Sequence, residues 1–271
     1  MNRGLLLKSL IDARAVTVLL ATAMLLAEGV LSYVLPTVMT DFSSQILQVP
    51  FIRTMISALL GADIGDSLVP ATFIAIAWVH PVVLAIVWTH AIVFCTRVPA
   101  GEIDRGTIDL LLSLPVSRWQ VYVAETVVFL GTGLAVLAMG MLGHRLGILS
   151  LAPRDRPGLG RMLGIVANLY CLYMAVGGLA FLVSAISDRR GRAIAAVFGI
   201  LLASFLLNFL AQFWPPAQAV RFLSLLNYYQ PLPLVRTGDL PVWDIFILTG
   251  FAAVTWTAGG VWFARRDVCT V

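Results

Sequence analysis

From Ala15 to Val38 the chain carries a single charge, Glu28, over a run long enough to cross a bilayer. A span needs about 20 mostly apolar residues, because the hydrocarbon core is about 30 Å thick and a helix rises about 1.5 Å per residue. Five more runs meet that test, at about 71–96, 119–143, 162–187, 193–213 and 243–264. Lipid offers the backbone no hydrogen-bond partner, so separate apolar runs of this length cross it as helices. Composition agrees: 60% of residues are hydrophobic and only 12% charged, about half the charged share of a soluble domain. The expected fold class is an all-α integral membrane protein, a six-transmembrane-helix bundle forming one domain over residues 1–271.

An even number of spans puts both termini on one side. That side takes Arg3, Lys8, Arg14, Arg97, Arg105, Arg118, Arg189, Arg190, Arg192, Arg265 and Arg266, eleven of the eighteen Lys and Arg residues, and leaves seven for the other. Positive charge is retained in the cytoplasm, which favours cytoplasmic termini. Because these cations cluster at the ends of apolar runs, they read as contacts to lipid headgroups rather than to nucleic acid. In "RGLLLKSLIDAR", Leu6, Leu7, Leu10 and Ile11 share one helical face, which predicts a short interfacial helix before the first span. That span is too long for a secretion-signal core and lacks a clear small-residue cleavage site, so it is expected to be retained. Two connections on the other side are long. Residues 39–70 are expected to hold a further interfacial helix, and the aromatic and proline-rich stretch 214–242 suits the headgroup layer.

Between the second and third spans lies "GEIDRGTIDLLLSLPVSRW", residues 101–119. Its apolar part is too short to span and too apolar for an ordinary loop. Thr107 is placed to cap a helix, and Asp109 in the first turn suits the positive end of its dipole. Ile108, Leu111, Leu112 and Pro115 fall at i, i+3, i+4 and i+7, one apolar stripe. Pro115 disfavours helix at Leu114 and ends the element. The spacing predicts a short helix over about 107–114, fitted either to dock in a groove of a partner or merely to join two spans.

The stretch "AGEIDRGTIDLLLSLPVSRWQVYVAE" resembles the segment between the second and third spans of ABC type-2 transporter permeases. The resembling residues are Glu102, Gly106, Thr107, Asp109, Leu110, Leu111, Leu112, Pro115, Ser117 and Arg118. The C-terminal stretch, with Phe263, Arg265, Arg266 and Asp267, is similar to the end of that family's last span. One departure is Ala124-Glu125, where the family often has Gly-Lys. The resemblance implies a permease subunit that couples ATP hydrolysis on a separate cytoplasmic ABC ATPase subunit to export through a bacterial cytoplasmic membrane. It implies a second permease subunit, identical or related, and makes the short segment a coupling helix. The residues it assigns to coupling are Glu102, Gly106, Thr107, Asp109, Leu111, Leu112, Pro115 and Arg118, none of them catalytic. No cofactor is expected on this chain, with ATP and Mg on the ATPase. Consistent with that, Lys8 is the only lysine and sits beside no Walker A loop.

Within the spans, Glu28 and Glu125 are costly in lipid and mark either a substrate path or a structural pairing. His80 precedes Pro81, which is expected to kink the second span, and His80 is a further candidate for the substrate path or for satisfying backbone groups that the proline frees. His90 lies ten residues on, on another helical face, so the two do not suggest a shared metal site. "SDRRGR", 187–192, reads as a positive anchor or a second partner contact. Gly131, Gly133, Gly140, Gly143, Gly177, Gly178, Gly259 and Gly260 read as sites of close helix packing. Cys95, Cys171 and Cys269 form no CxxC pair. Two other readings stand beside the leading one. Related permeases serve maturation of multi-copper enzymes, whose cue would be a Met/His/Cys cluster, and the spans could belong to an intramembrane enzyme or a passive scaffold.

Overall fold

A computed structural model of the chain describes residues 3–46 and 70–267. These residues fold into helices and connecting turns, without a strand among them. The long elements are α1 (Arg3–Ile46), α2 (Pro70–Val79), α3 (Pro81–Cys95) and, after a short α4 (Ile108–Leu112), α5 (Arg118–Gly147). They continue with α6 (Leu159–Ile186), α7 (Arg190–Leu210) and α8 (Val242–Arg265). Taken with α2 and α3 as one span, six stretches are long and apolar enough to cross a membrane.

Burial sorts the spans. Most of α2–α3 and of α6 is buried, whereas α1, α7 and α8 turn most of their residues outward, and α5 lies between these extremes. α1 packs mainly on α5, and α8 mainly on α6. Small residues set those two contacts. A Cβ on Gly143 of α5 would lie 2.1 Å from the Leu25 carbonyl oxygen of α1, and one on Gly178 of α6 would lie 2.7 Å from the Ala252 carbonyl oxygen of α8. Close backbone approach is how helices associate where lipid removes the hydrophobic drive. Gly131, by contrast, has nothing among the described residues within 4 Å of its would-be Cβ.

The second span breaks where Pro81 predicts. His80 leaves helical geometry (φ −56°, ψ 135°), and its Nδ1 accepts the Val82 N–H at 3.3 Å. It thereby caps α3, doing for the backbone what the proline interrupts. The start of α1 departs from expectation. Residues 3–14 are not a separate interfacial helix but the first turns of one continuous helix to Ile46. No glycine, proline or cap breaks that stretch after Gly4, while Ser9 and Ala13 are buried and hold it against the bundle. The expected helix within 39–70 falls largely outside the described residues, apart from the continuation of α1 to Ile46. In 214–242 the chain forms short turns and helices at Pro215–Ala219 and Pro231–Thr237, with Leu225, Leu226 and Tyr229 buried.

Candidate functional site

The end of the bundle that carries Arg3 and Arg265 also gathers the 97–118 connection and the 186–190 turn. After α3, the helix breaks at Val98, the residue before Pro99, which is extended (φ −132°, ψ 128°). Residues 97–101 are buried, so the connection leaves the membrane against protein rather than hanging free. Gly106 then reverses the chain with φ +67°, a left-handed turn that favours glycine.

That reversal decides what Thr107 does. Expected as a side-chain cap for α4, it makes no such bond, because its backbone is α-like (φ −97°, ψ −3°) rather than extended. Its hydroxyl instead donates to the Glu102 carboxylate in a short contact and to the Glu102 carbonyl at 3.3 Å. Glu102 is buried and also accepts from Lys8 of α1 at 3.3 Å and from Arg105 at 3.2 Å. Burial pushes its carboxyl up, but the Thr107 hydroxyl and the Lys8 and Arg105 charges outweigh burial and hold it below its ordinary 4.5.

The helix expected over about 107–114 spans only Ile108–Leu112, so the stripe on it is Ile108, Leu111 and Leu112, which point inward, and Pro115 lies outside it. Ile108 and Leu111 are buried and Leu112 is half-buried, while Leu110 is 72% and Leu114 49% exposed. Of the eight residues assigned to coupling, Gly106, Asp109 and Pro115 are exposed, and Glu102, Thr107, Leu111 and Leu112 anchor α4 to its own bundle. Arg118 does neither. Its guanidinium donates to the Phe263 carbonyl at 3.1 Å and to the Arg266 carbonyl, at the C-terminus of α8. Arg266 in turn donates to the Ala185 and Ser187 carbonyls, 2.8 and 3.2 Å away, and pairs with Asp188. Two arginines of the resembling motifs thus satisfy carbonyls that the ends of α8 and α6 leave without helical partners. Ser117 and Gln120 close a reciprocal capping box at the start of α5.

Beneath α4 lies a cavity of about 670 Å³ between α1, α3, α4 and the start of α7. Lys8, Arg97, Glu102, Arg105 and Arg190 stand around it, and Val16, Thr17, His90 and Phe94 lie farther in. At its inner end Thr17 Oγ1 lies 3.3 Å from His90 Nε2, and His90 Nδ1 lies 3.0 Å from the Tyr173 hydroxyl, which donates to the Phe129 carbonyl at 3.0 Å.

The three candidates for a substrate path do not meet. Glu125 pairs with Arg97 at 2.6 Å, both nearly buried, and Arg97 also donates to Ser9 Oγ at 2.9 Å and to the Ser9 carbonyl at 3.2 Å. His80 caps α3. Glu28 is fully buried farther along α1, with Ser32 Oγ at 3.5 Å and His144 Nδ1 at 3.7 Å. His144, also fully buried, takes Ser32 Oγ at 2.6 Å. Sequence reasoning missed Arg97 and His144. The signal for the first was a lone arginine at the end of one uncharged run matched by a lone glutamate about two turns into the next. His144 stood one residue beyond the end of the 119–143 run, beside Gly143, with nothing to pair it with Glu28. Among the described residues no group of three His, Cys, Asp or Glu side chains converges.

A family model described as ABC-2 family transporter protein matches residues 7–268. The chain belongs to the ABC-2 transporter family. No curated protein and no solved structure matches it. As an ABC-2 family member it is an integral multi-pass permease component of an ABC transporter and not itself a catalytic subunit. The ABC-2 match runs through the 97–118 connection and the α8 terminus alike, so the contacts built from Glu102, Arg118 and Arg266 lie within the family region.

Proposed function

We propose that this ABC-2 permease forms one transmembrane domain with both termini in the cytoplasm, that a separate ATPase subunit docks on α4, and that the transport it drives is export. ATP and Mg belong to that ATPase, and a second permease subunit completes the pathway. The observation that carries this reading is the division of α4 into an anchored face and a presented one. Ile108 and Leu111 are buried in the bundle, while Leu110 stands 72% exposed at an end rich in arginine. An apolar side chain presented on a short helix is what a groove in a soluble subunit accepts. Glu102 and Lys8 carry force on α4 into α1, and Arg97 with Ser9 and Glu125 ties α3 to α1 and α5.

Leu110→Arg tests the reading, because its side chain contributes little to the fold. Co-purification with a co-expressed ABC ATPase subunit that binds the wild-type permease, and hydrolysis by the reconstituted complex, are both expected to fall at least about ten-fold, the loss of one well-buried apolar contact. Wild-type assembly and turnover in this variant would count decisively against docking at α4.

A further inference from the structure

We infer that the cavity beneath α4 is a binding site for an anionic amphiphile, with Arg190 and Arg97 receiving a phosphate or carboxylate head and the apolar wall above them receiving its tail.

The charges around the cavity are not balanced in the same way. Lys8 and Arg105 are engaged by Glu102, Lys8 also holds Asp12 at 3.0 Å, and the end nitrogens of Arg97 are engaged by Glu125 and Ser9. Arg190 differs. Among the described residues no carboxylate lies within 4 Å of its guanidinium, whose one bond is from Nη2 to the Val93 carbonyl at 3.0 Å. Asp104 takes the Arg190 backbone N–H at 3.3 Å instead. Arg97 and Arg105 lie close enough to repel it, against the attraction of the Asp104 charge. The Nε atoms of Arg190 and Arg97 are both buried without a partner, and Arg97 as a whole is only 8% exposed. A buried guanidinium N–H left unmade is costly, and an anion between the two arginines would satisfy both. Arg190 also opens α7, a helix of 21 residues, whose dipole adds positive potential at the same place.

The tail follows from what lies farther in. From Arg97 to His90 the chain climbs α3 by about 10 Å, at about 1.5 Å per residue. Val16, Val93 and Phe94 line that climb. At its end Thr17, His90 and Tyr173 satisfy one another, so nothing there calls for a second charge. The volume, about 670 Å³, is that of a ligand pocket rather than of a packing defect. Four basic groups against two acidic ones, Asp12 and Glu102, line the cavity, and the base left without a carboxylate among the described residues is Arg190, which disfavours a cation; a simple inorganic anion would leave the apolar climb unfilled.

This inference deepens the transporter reading by naming a class of cargo, and rests on that reading only for the step from binding to transport. Dodecyl phosphate is titrated calorimetrically into the full-length protein in neutral maltoside micelles, with dodecylphosphocholine and inorganic phosphate as the other arms. Saturable binding of dodecyl phosphate is expected, at least about ten-fold tighter than either comparison. Arg190→Gln is expected to weaken it about ten-fold or more, the scale of one charge-assisted hydrogen bond. Arg190→Lys, which keeps the charge but loses the Nε donor, should fall between. A melting temperature equal to wild type shows that Arg190→Gln still folds, and a variant that unfolds is replaced by the lysine variant as the deciding arm. Equal affinity for the zwitterionic amphiphile overturns the charge argument, inorganic phosphate binding as tightly overturns the tail, and unchanged affinity in both Arg190 variants overturns the site. Because no ATPase is present, a negative result leaves docking at α4 standing, and wild-type behaviour of Leu110→Arg leaves anion binding standing.

Discussion

Two carboxylates at the terminal end of the bundle are held by cations in unlike surroundings, and the difference fixes how each should respond to substitution. Glu102 meets Lys8 and Arg105, side chains that are 45% and 52% exposed, so solvent screens much of the attraction. Removing its charge with Glu102→Gln should cost only about 1–2 kcal/mol at neutral pH, the scale of a hydrogen bond to a charged group. Its carboxyl is held below 4.5 in the folded protein. The contribution is therefore fully present above about 4.5 and lost as pH falls through the lower folded-state value. Hydrogen exchange of amides 101–113 should show wild type and Glu102→Gln differing at pH 7 and converging in acid; a difference that grew on acidification would reverse the assignment. Glu125 and Arg97 are only 9% and 10% exposed, and that pair cannot be opened cheaply. Glu125→Gln leaves a buried guanidinium without its counter-charge and should destabilise the protein by about 3–5 kcal/mol, whereas Arg97→Met with Glu125→Leu should recover most of the loss. Thermal unfolding of the two variants in detergent checks this. A stable Glu125→Gln protein that no longer transports would return Glu125 to the substrate path.

At the scale of the element, α5 carries its own control for how α1 is held. Gly143 faces the Leu25 carbonyl at a distance that no Cβ tolerates, while Gly131, on the same helix, faces open space. Gly143→Ala should push α1 away and lower stability by about 1–3 kcal/mol, the range for overpacking. Gly131→Ala should be neutral or stabilising by up to about 1 kcal/mol through helix propensity. Equal melting temperatures for the two variants would show that α1 and α5 do not depend on that contact. In the sequence both glycines read as packing sites because both lie in apolar runs, and only three-dimensional register separates them. The spans themselves were legible, since bilayer thickness sets their length and charge marks their ends. The break at His80 was legible for a similar reason, because Pro81 removes a donor wherever it falls. The continuity of α1 was not: an interfacial helix and the first turns of a span share one periodicity, and burial of Ser9 and Ala13 by the neighbouring helices decides between them. Three of the four residues of the predicted stripe, Ile108, Leu111 and Leu112, lie on α4 and turn inward, whereas Pro115 falls beyond its end and is exposed; the direction of the stripe depends on the left-handed turn at Gly106. That turn also carries Thr107 away from capping and onto Glu102. The Glu28–His144 approach joins residues 116 positions apart, beyond the reach of any local pattern.

Across the whole molecule, α1, α5, α6 and α8 are joined by one kind of contact along their length and another at the terminal end. Glycine contacts fix helix pairs along their length, whereas at the terminal end arginines reach across to carbonyls of other helices. Arg118 links the start of α5 to the last turn of α8, and Arg266 links that turn to the end of α6. A displacement of α4 therefore has a short covalent route to Arg118 and, through it, to three spans. Deleting this relay should separate docking from response. Arg118→Gln keeps Leu110 and the buried face of α4 untouched, so the ATPase should still bind with wild-type affinity. The freed carbonyls at Phe263 and Arg266 should let the last turn of α8 fray, with amides around 263–266 exchanging about ten-fold faster, as expected for loss of a charge-assisted bond. Stimulated hydrolysis should fall with them. Both bonds of Arg118 leave one nitrogen, Nη1; Arg118→Lys preserves the charge on a differently shaped side chain and should rescue only part of either property. Loss of ATPase binding in Arg118→Gln would make the arginine part of the docking surface. Normal binding with unchanged exchange and hydrolysis would mean that force leaves α4 by Lys8 and Glu102 alone, through α1.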